Sequence, residues 1–494
     1  MPDISPGLLE GLMLSNMSFE PTRTQRHAIH ALALLVCSEK SNPTLVVNGY
    51  AGTGKTSLMK SFCDAMDAVR IPVVLLAPTG RAAKVLAGYT GRKAHTVHRA
   101  IYRQRVADAL SPFEVAFSKH RGSVFIVDEA SMVGDAYVQP GVGSSGPVWG
   151  DGRLLQDLVS FVFSQPGCRL VLVGDPDQLP PIGMDETPGL DVDRLCGYGL
   201  TVGRVWLSDI VRQEHGGLIL KNAMALRRRI EEGGDADIPR LEWQDGADVE
   251  RVGGANLLEA IEGAFSSFGV SETVVITRSN RRATLYSIAL RSQAMSIESR
   301  LVKGDLLIVT RNNYLWSEAA GIDFIANGDI VEVVSVFGYS EMNGLHFADV
   351  SIRLVDRGDV DVDCKIILDF LTADVGVPDP ETQLKVEVST AQINERLAAM
   401  AAEDYDGYTN QRKRALDIRK DKWINALQVR YAYAMTCHKA QGGQWKAVFV
   451  DMGGSRAVAD NPTQDAKWLY TAVSRAREKL FLVNYEEEAK RDNW

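Results

Sequence analysis

The sequence predicts an α/β protein made of two parallel-sheet halves in tandem, the second interrupted by a β-module and helices. Three observations carry this. Short apolar runs, each followed by a helical stretch, occur in two separate blocks of the chain. The first block opens on a glycine-rich loop set between a strand and a helix. Inside the second block, residues 301–370 switch to period-two alternation broken by turns, the pattern of antiparallel strands.

Residues 1–18, with Pro2, Pro6, Gly7 and Gly11, read as a loosely ordered lead-in. An amphipathic helix follows from Phe19-Glu20-Pro21-Thr22 to about Cys37, with Thr22 as its N-cap. Thr44–Val47 is a buried strand, and Ser57–Phe62 opens a helix. Between them, Gly49-Tyr50-Ala51-Gly52-Thr53-Gly54-Lys55-Thr56 fits G-x-x-x-x-G-K-[ST] without a mismatch. Gly52, Thr53 and Gly54 let backbone N–H groups turn inward onto phosphate oxygens. The helix N-terminus adds partial positive charge. Lys55 would reach the β- and γ-phosphates, and the Thr56 hydroxyl would ligate Mg²⁺. Gln25, one short helix upstream, could pair with an adenine edge; a helix-surface glutamine is the alternative.

Val73–Ala77 is a second strand, leading into Pro78-Thr79-Gly80-Arg81 and then Ala94-His95-Thr96-Val97-His98-Arg99. Thr79, Thr96 and His98 suit phosphate or sugar contacts, although such residues are more often caps or loop polars. Residues 99–121 are basic and aromatic and too long for a simple connection. They predict a small insertion with a stacking aromatic, Phe113, at its tip; a solvated excursion is the alternative. Ser123–Val127 is a third strand that delivers Asp128 and Glu129 to the sheet edge where ligands bind. Asp128 would hold Mg²⁺ through water, and Glu129 would orient or deprotonate the attacking water. Residues 134–152 are Gly/Pro/Ser-rich and read as a surface loop. Arg169–Val173 is a fourth strand with Gln178 at its tip as a γ-phosphate sensor. Arg212, in Trp206–Gln213, is a candidate γ-phosphate arginine.

The second half begins with a helix, Leu218–Ile230, and a strand, Thr273–Thr277. Residues 391–426 read as charged helix. Val429–Thr436 returns to strand and runs into Cys437-His438-Lys439-Ala440-Gln441-Gly442. Val448–Asp451 is a strand, Trp468–Arg477 a helix, and Leu480–Val483 the last strand. The second half offers arginines but no phosphate loop. Nucleotide is therefore expected between the halves, with Arg475 stabilising charge on the transferred phosphoryl group.

The bulk numbers narrow the setting. The chain has 494 residues, 45% hydrophobic and 24% charged, which is ordinary globular composition. No apolar run nears the ~18 residues of a membrane span, and no secretory signal pattern is visible. The six cysteines are scattered without C-x-x-C, which fits reduced thiols in a cytoplasm and argues against zinc. The net charge of −9 confines any nucleic-acid binding to a local channel.

Taken in order, these motifs resemble superfamily 1 helicases. They are Gln25, the phosphate loop, Ala77–Arg81, Asp128–Ser131, Gly174–Leu179, Val211-Arg212-Gln213, Thr436–Gly442 and Tyr470–Ala476. Thr96–Arg99 and His438–Gly442 look most like the RecD/Dda (SF1B) branch. The resemblance covers about residues 19–484 and implies two RecA-like domains and Mg²⁺-dependent ATP hydrolysis. It implies 5′→3′ movement on single-stranded DNA, action at single-strand/duplex junctions, and a monomer in a bacterial or phage-infected cytoplasm. Replication or recombination proteins are conceivable partners. Lys55, Thr56, Asp128, Glu129, Gln178, Arg212 and Arg475 would form the hydrolytic site, with Gln25 and Gly442 also toward nucleotide. Pro78, Thr79, Thr96, His98, Thr436, His438 and Lys439 match motifs lining the DNA channel. By resemblance, domain 1A is 19–215 with a strand-separating pin at 99–121, and domain 2A is 216–300 and 427–494. The inserted 301–426 would hold an SH3-like barrel and a helical arm. The 134–152 loop is longer than the family pattern, and the N-terminal domain of longer RecD-type proteins is not expected.

Overall fold

The computed structural model describes residues 4–103, 114–136, 153–209, 217–233, 240–319, 325–355, 360–375, 377–378, 385–386, 388–405, 408, 411–453 and 461–485. These divide into two compact units, 4–209 and 217–485.

The first unit is built on six parallel strands: β1 (Pro43–Gly49), β2 (Val73–Ala77), β3 (Ala94–Thr96), β4 (Val124–Val127), β5 (Arg169–Gly174) and β6 (Thr201–Leu207). Their order is β3-β2-β4-β5-β1-β6. Every residue of β1 is buried, as befits a central strand covered on both faces. On one face lie α1 (Pro6–Ser15), α2 (Arg23–Val36) and α3 (Lys55–Ala68), whose Leu9, Met13, Ile29, Leu32, Leu58 and Phe62 pack with Leu45 and Val47.

The lead-in reading of residues 1–18 is corrected here. Pro6–Ser15 is a helix capped by Ser5, with Pro6 at its first turn. Leu9 and Met13, four apart on one stripe, are fully buried, and the Met13 carbonyl accepts from Ser61 Oγ at 2.5 Å. Of the residues that suggested looseness, Pro6 and Gly7 sit at the helix start and Gly11 on its open face, while Pro2 lies outside the described residues.

The second unit holds a five-stranded parallel sheet and a closed barrel. The sheet contains β7 (Val249–Val252) and β8 (Thr273–Thr277). The barrel closes through β9 (Leu306–Val309), β10 (Ile330–Met342), β11 (Leu345–Leu354), β12 (Val360–Ile367) and β13 (Leu427–Tyr431). The sheet is completed by β14 (Ala434–Thr436), β15 (Trp445–Asp451) and β16 (Ala476–Val483), in the order β14-β8-β15-β16-β7.

Two expectations change. The run Val429–Thr436 is not one strand. β13 closes the barrel, antiparallel to β9 and parallel to β12, and after Ala432-Tyr433 the chain re-enters the sheet as β14 beside β8. The 426/427 boundary therefore cuts through the barrel, which extends to Tyr431. The predicted helix Trp468–Arg477 is Pro462–Val473, capped at Ser474, so Arg475 lies in a turn and Ala476 begins β16. The Arg475 carbonyl is taken by the Trp445 N–H at 3.0 Å, a sheet contact that overrides local helix preference.

The barrel is fastened to its sheet layer by a buried ion pair. Asp305, fully buried, accepts from Arg291 Nε at 2.7 Å and Nη2 at 2.8 Å, from the Val302 N–H at 2.7 Å and from the Tyr433 hydroxyl at 2.9 Å. Arg291 lies in a π-turn, Leu290–Ala294, that extends the helix Asn280–Ala289. Removing one member of such a pair typically costs about 3–5 kcal/mol, because the other charge stays buried. The helix Thr390–Glu403 begins with a Ser389/Gln392 capping box and packs Ile393, Leu397 and Met400 against Phe347 and Phe370.

Candidate functional site

The C-terminal edge of the first sheet gathers the candidate hydrolytic residues. β1 ends at the phosphate loop, β4 at Asp128-Glu129, and β5, lying between them, at Gly174 just before Gln178. Two strand spacings put the loop and the acidic pair about 10 Å apart, room for phosphates and a hydrated cation. Gly52 and Gly54 adopt left-handed backbone (φ 82° each), which turns the loop into the N-terminus of α3. A Cβ at Gly49 would meet Thr53 Oγ1 at 2.9 Å and Lys55 Cγ at 3.0 Å, so the loop's root also needs glycine. Lys55 Nζ donates to the Gly49 carbonyl at 2.5 Å and the Tyr50 carbonyl at 3.0 Å. Thr56 is the second residue of α3.

Asp128 and Glu129 sit tightly together. Burial first, then the Glu129 charge, push the Asp128 carboxyl up to about 7; Lys55 and a hydrogen bond from the Glu129 N–H at 3.0 Å pull it back. Glu129 itself is in the left-handed region (φ 52°), uncommon for a residue with a side chain and often found at functional sites. Among the described residues, Glu129 Oε2 and Gln178 Oε1 are buried oxygens without a hydrogen-bond partner. Asn48 Oδ1 is a third, on β1 in register with Gly174. The sequence reading missed Asn48; the signal was a polar residue closing an apolar run. Unpartnered hard oxygens beside a carboxyl that resists ionisation fit a site completed by Mg²⁺, nucleotide and water.

The sign of the Asp128 shift is testable. Its folded-state value lies above the ordinary 3.8, so its contribution to stability is present below about pH 4 and lost as pH rises through about 7. Asp128→Asn should therefore melt several degrees higher than wild type at pH 8 in chelator, in the first unit's transition. The gap should close near pH 4. Equal melting at both pH values would contradict the burial argument.

Gln25 is not a helix-surface glutamine. Its side chain is fully buried; Nε2 donates to the Thr53 carbonyl at 3.0 Å, and Oε1 accepts the Thr22 N–H at 3.0 Å in a capping box. Each end of the amide carries one of these bonds, so Gln25 braces the phosphate loop from behind and keeps a second N–H and a second lone pair.

Of the track-binding candidates, Thr79 caps the helix Gly80–Thr90 and accepts from Ala82 N–H at 3.2 Å. Thr96 caps Val97–Ile101 and accepts from Arg99 N–H at 3.3 Å. Each hydroxyl still has its hydrogen to donate. Pro78 directly follows β2, at the same sheet edge. Desolvation pushes the His98 imidazole down to about 4, so it is neutral at physiological pH, and its ring lies 5.8 Å from that of Tyr102. At the two ends of the 99–121 segment, Tyr102 pairs with Val115 and Arg103 with Glu114, antiparallel. Phe113 and Arg212 lie outside the described residues.

In the second unit, Thr436, His438 and Lys439 sit together at the start of Cys437–Ala440, after β14. Desolvation lowers both His438 and Lys439; Lys439, also facing the Arg430 charge, comes down to about 8. Gly442 has φ 73°, a turn that accounts for glycine without a ligand. Arg475 is only 4% exposed, and its guanidinium donates to the Thr471 carbonyl at 3.0 Å, the Gly443 carbonyl at 3.3 Å and Ser474 Oγ at 2.9 Å. In this arrangement its guanidinium is held by its own unit. Arg278, to which the sequence pattern assigns no role, follows β8 at the sheet's C-terminal edge. It bonds Asp465 at 2.5 Å, stacks over Trp468 at 4.5 Å, and keeps a buried Nε without a partner. Its signal was an arginine placed after an apolar strand as Asp128 is in the first sheet.

A phosphate loop and an Asp-Glu pair on one edge of a parallel sheet define a P-loop nucleotide-binding fold. Residues 21–139 match the AAA domain family and residues 431–483 the UvrD-like helicase C-terminal domain family. Over part of its length the chain is similar to named DNA helicases. It is 35% identical over 144 residues to the ATP-dependent RecD2 DNA helicase of Deinococcus radiodurans, spanning 28% of this chain and 16% of that protein. It is 27% identical over 178 residues to the ATP-dependent DNA helicase dda of Enterobacteria phage T4, spanning 34% of this chain and 35% of that protein. The matched stretch is thus well under half the length of either relative. Among solved structures, a Bacteroides Pif1 helicase in complex with ADP-AlF3 and ssDNA aligns over 95% of this chain and 93% of its own, at 14% identity and TM-score 0.47. Among the described residues no helix is long and apolar enough to cross a membrane.

Proposed function

We propose that the chain is an ATP-dependent DNA helicase that moves 5′→3′ on single-stranded DNA and opens duplex ahead of it. The observation that carries the reading is the edge of the first sheet, where Lys55, Asp128, Glu129 and Gln178 converge around unpartnered buried oxygens. The helicase C-terminal family match over 431–483 and the two named helicase relatives support DNA as the track.

ATP would lie with its phosphates on the loop 49–56. Thr56 and Asp128 would hold Mg²⁺, which when bound neutralises phosphate charge. Glu129 would take the proton of the attacking water, and Gln178 would orient it. Lys55 would trade its loop carbonyls for phosphate oxygens. Thr79, Thr96, Thr436, His438 and Lys439 would contact the track, and residues 99–121 would separate the strands. The barrel β9–β13 would correspond to the family's SH3-like module.

The test is a pair of duplexes with single-stranded tails of opposite polarity. The 5′-tailed one is expected to be unwound with ATP and Mg²⁺, and the 3′-tailed one left intact. The reverse preference would overturn the direction. ATP turnover stimulated by single strands without unwinding of either would favour a translocase that clears bound proteins or feeds a partner enzyme.

A further inference from the structure

We propose that Asp157 is a positioning residue for strand separation, acting through Tyr102 at the root of the 99–121 segment. The proposal rests on the helicase reading above and adds to it the part that anchors the root of that segment.

Asp157 is anomalous where it stands. It lies on the helix Leu154–Phe163, whose Leu155, Leu158, Phe161 and Val162 are buried, and it is itself only 2% exposed. A carboxylate at such a place is costly to desolvate unless it is bonded. The Tyr102 hydroxyl donates to Asp157 Oδ2 at 2.6 Å, a short bond. Tyr102 is 4% exposed and is the first residue of the antiparallel ladder that opens the segment. The helix carrying Asp157 is packed on the sheet, with Phe161 edge-on to Phe125 of β4 at 6.1 Å.

The root is tied at further points. The Ala116 N–H donates to the Ile101 carbonyl at 2.7 Å, and the Arg103 guanidinium donates to the carbonyls of Arg99 and Tyr102. Helix Val97–Ile101, capped by Thr96 and carrying His98, runs directly into Tyr102. Two candidate track contacts and the ladder are thus one short continuous piece, and Asp157 fixes that piece to the sheet layer. Separating each base pair works against roughly 1.4 kcal/mol of stacking. A root free to tilt would yield to that load, whereas one bonded to a packed helix passes it to the sheet.

Tyr102→Phe in the full chain removes the bond while keeping the ring beside His98. Unwinding of the 5′-tailed duplex is expected to fall about fivefold to tenfold, the equivalent of one lost hydrogen bond. Single-strand-stimulated ATP turnover should stay within about twofold, since no hydrolytic residue is touched. Amide exchange at Arg103 and Ala116 should speed up. Asp157→Asn, which still offers the phenol an acceptor oxygen, should retain most of the unwinding. The proposal is overturned if unwinding and turnover fall together, if unwinding is unchanged, or if exchange at those amides does not respond. A variant with residues 104–113 replaced by a short glycine-serine turn separates the two failures. If that variant loses unwinding and Tyr102→Phe does not, the segment separates strands but Asp157 does not position it. If neither loses unwinding, the strand-separating role of the segment falls, and this proposal with it.

Discussion

Glu129→Gln is expected to cut single-strand-stimulated ATP turnover by about 10²–10⁴-fold, the usual worth of a general base, with nucleotide binding nearly unchanged. The amide has the shape of the carboxylate but cannot take a proton. The structure places this side chain by a left-handed backbone (φ 52°) directly after β4, and its Oε2 is buried without a partner. The substitution also isolates chemistry from metal binding. The Glu129 charge pushes the Asp128 carboxyl up, so removing it makes Asp128 easier to ionise and easier to pair with Mg²⁺. A loss of turnover then cannot be assigned to a lost cation. The measurement is steady-state hydrolysis beside equilibrium binding of a non-hydrolysable ATP analogue. Turnover within about tenfold of wild type would remove Glu129 from the role of base.

The parts of the fold legible in the sequence were those where local pattern and tertiary partner agree. β1, the phosphate loop and α3 follow from an apolar run, glycines at positive φ and a helix start, and each lies within about one residue of its expected position or is extended from it. The position of Asp128-Glu129 at the sheet edge was legible because the apolar run of β4 ends just before them. What failed depended on partners distant in sequence. Val429–Thr436 is apolar throughout, so its pattern carries no sign that β13 and β14 belong to different sheets. Gln25 was expected near the loop, but that its amide also braces the Thr53 carbonyl depends on a 3.0 Å contact 28 residues away. Arg475 stands where the motif puts it, yet its hydrogen bonds to Thr471, Gly443 and Ser474 depend on a helix ending earlier than its propensity suggests. Asp157 gave no signal at all, since an acid inside a helix reads as a solvated face until its partner Tyr102 is seen.

Lys55→Ala is expected to lower ATP turnover about 10²-fold or more, by analogy with removing a preorganised cation from a charged transition state. Unlike Glu129→Gln, it should weaken nucleotide binding as well. Lys55 serves three purposes at once. Its ammonium holds the carbonyls of Gly49 and Tyr50, its charge pulls the Asp128 carboxyl down, and it would face the transferred phosphate. Its loss therefore pushes the Asp128 carboxyl further up, so Mg²⁺ dependence should become steeper at pH 7 and relax by pH 8.5. Lys55→Arg separates charge from shape. A planar guanidinium restores the positive field at Asp128 but cannot sit between the two carbonyls as a compact ammonium does. The arginine variant should thus recover near-normal Mg²⁺ dependence of nucleotide binding while turnover stays low. If arginine restored turnover as well, the field alone would suffice, and the carbonyl seat at Gly49 and Tyr50 would have no part in hydrolysis.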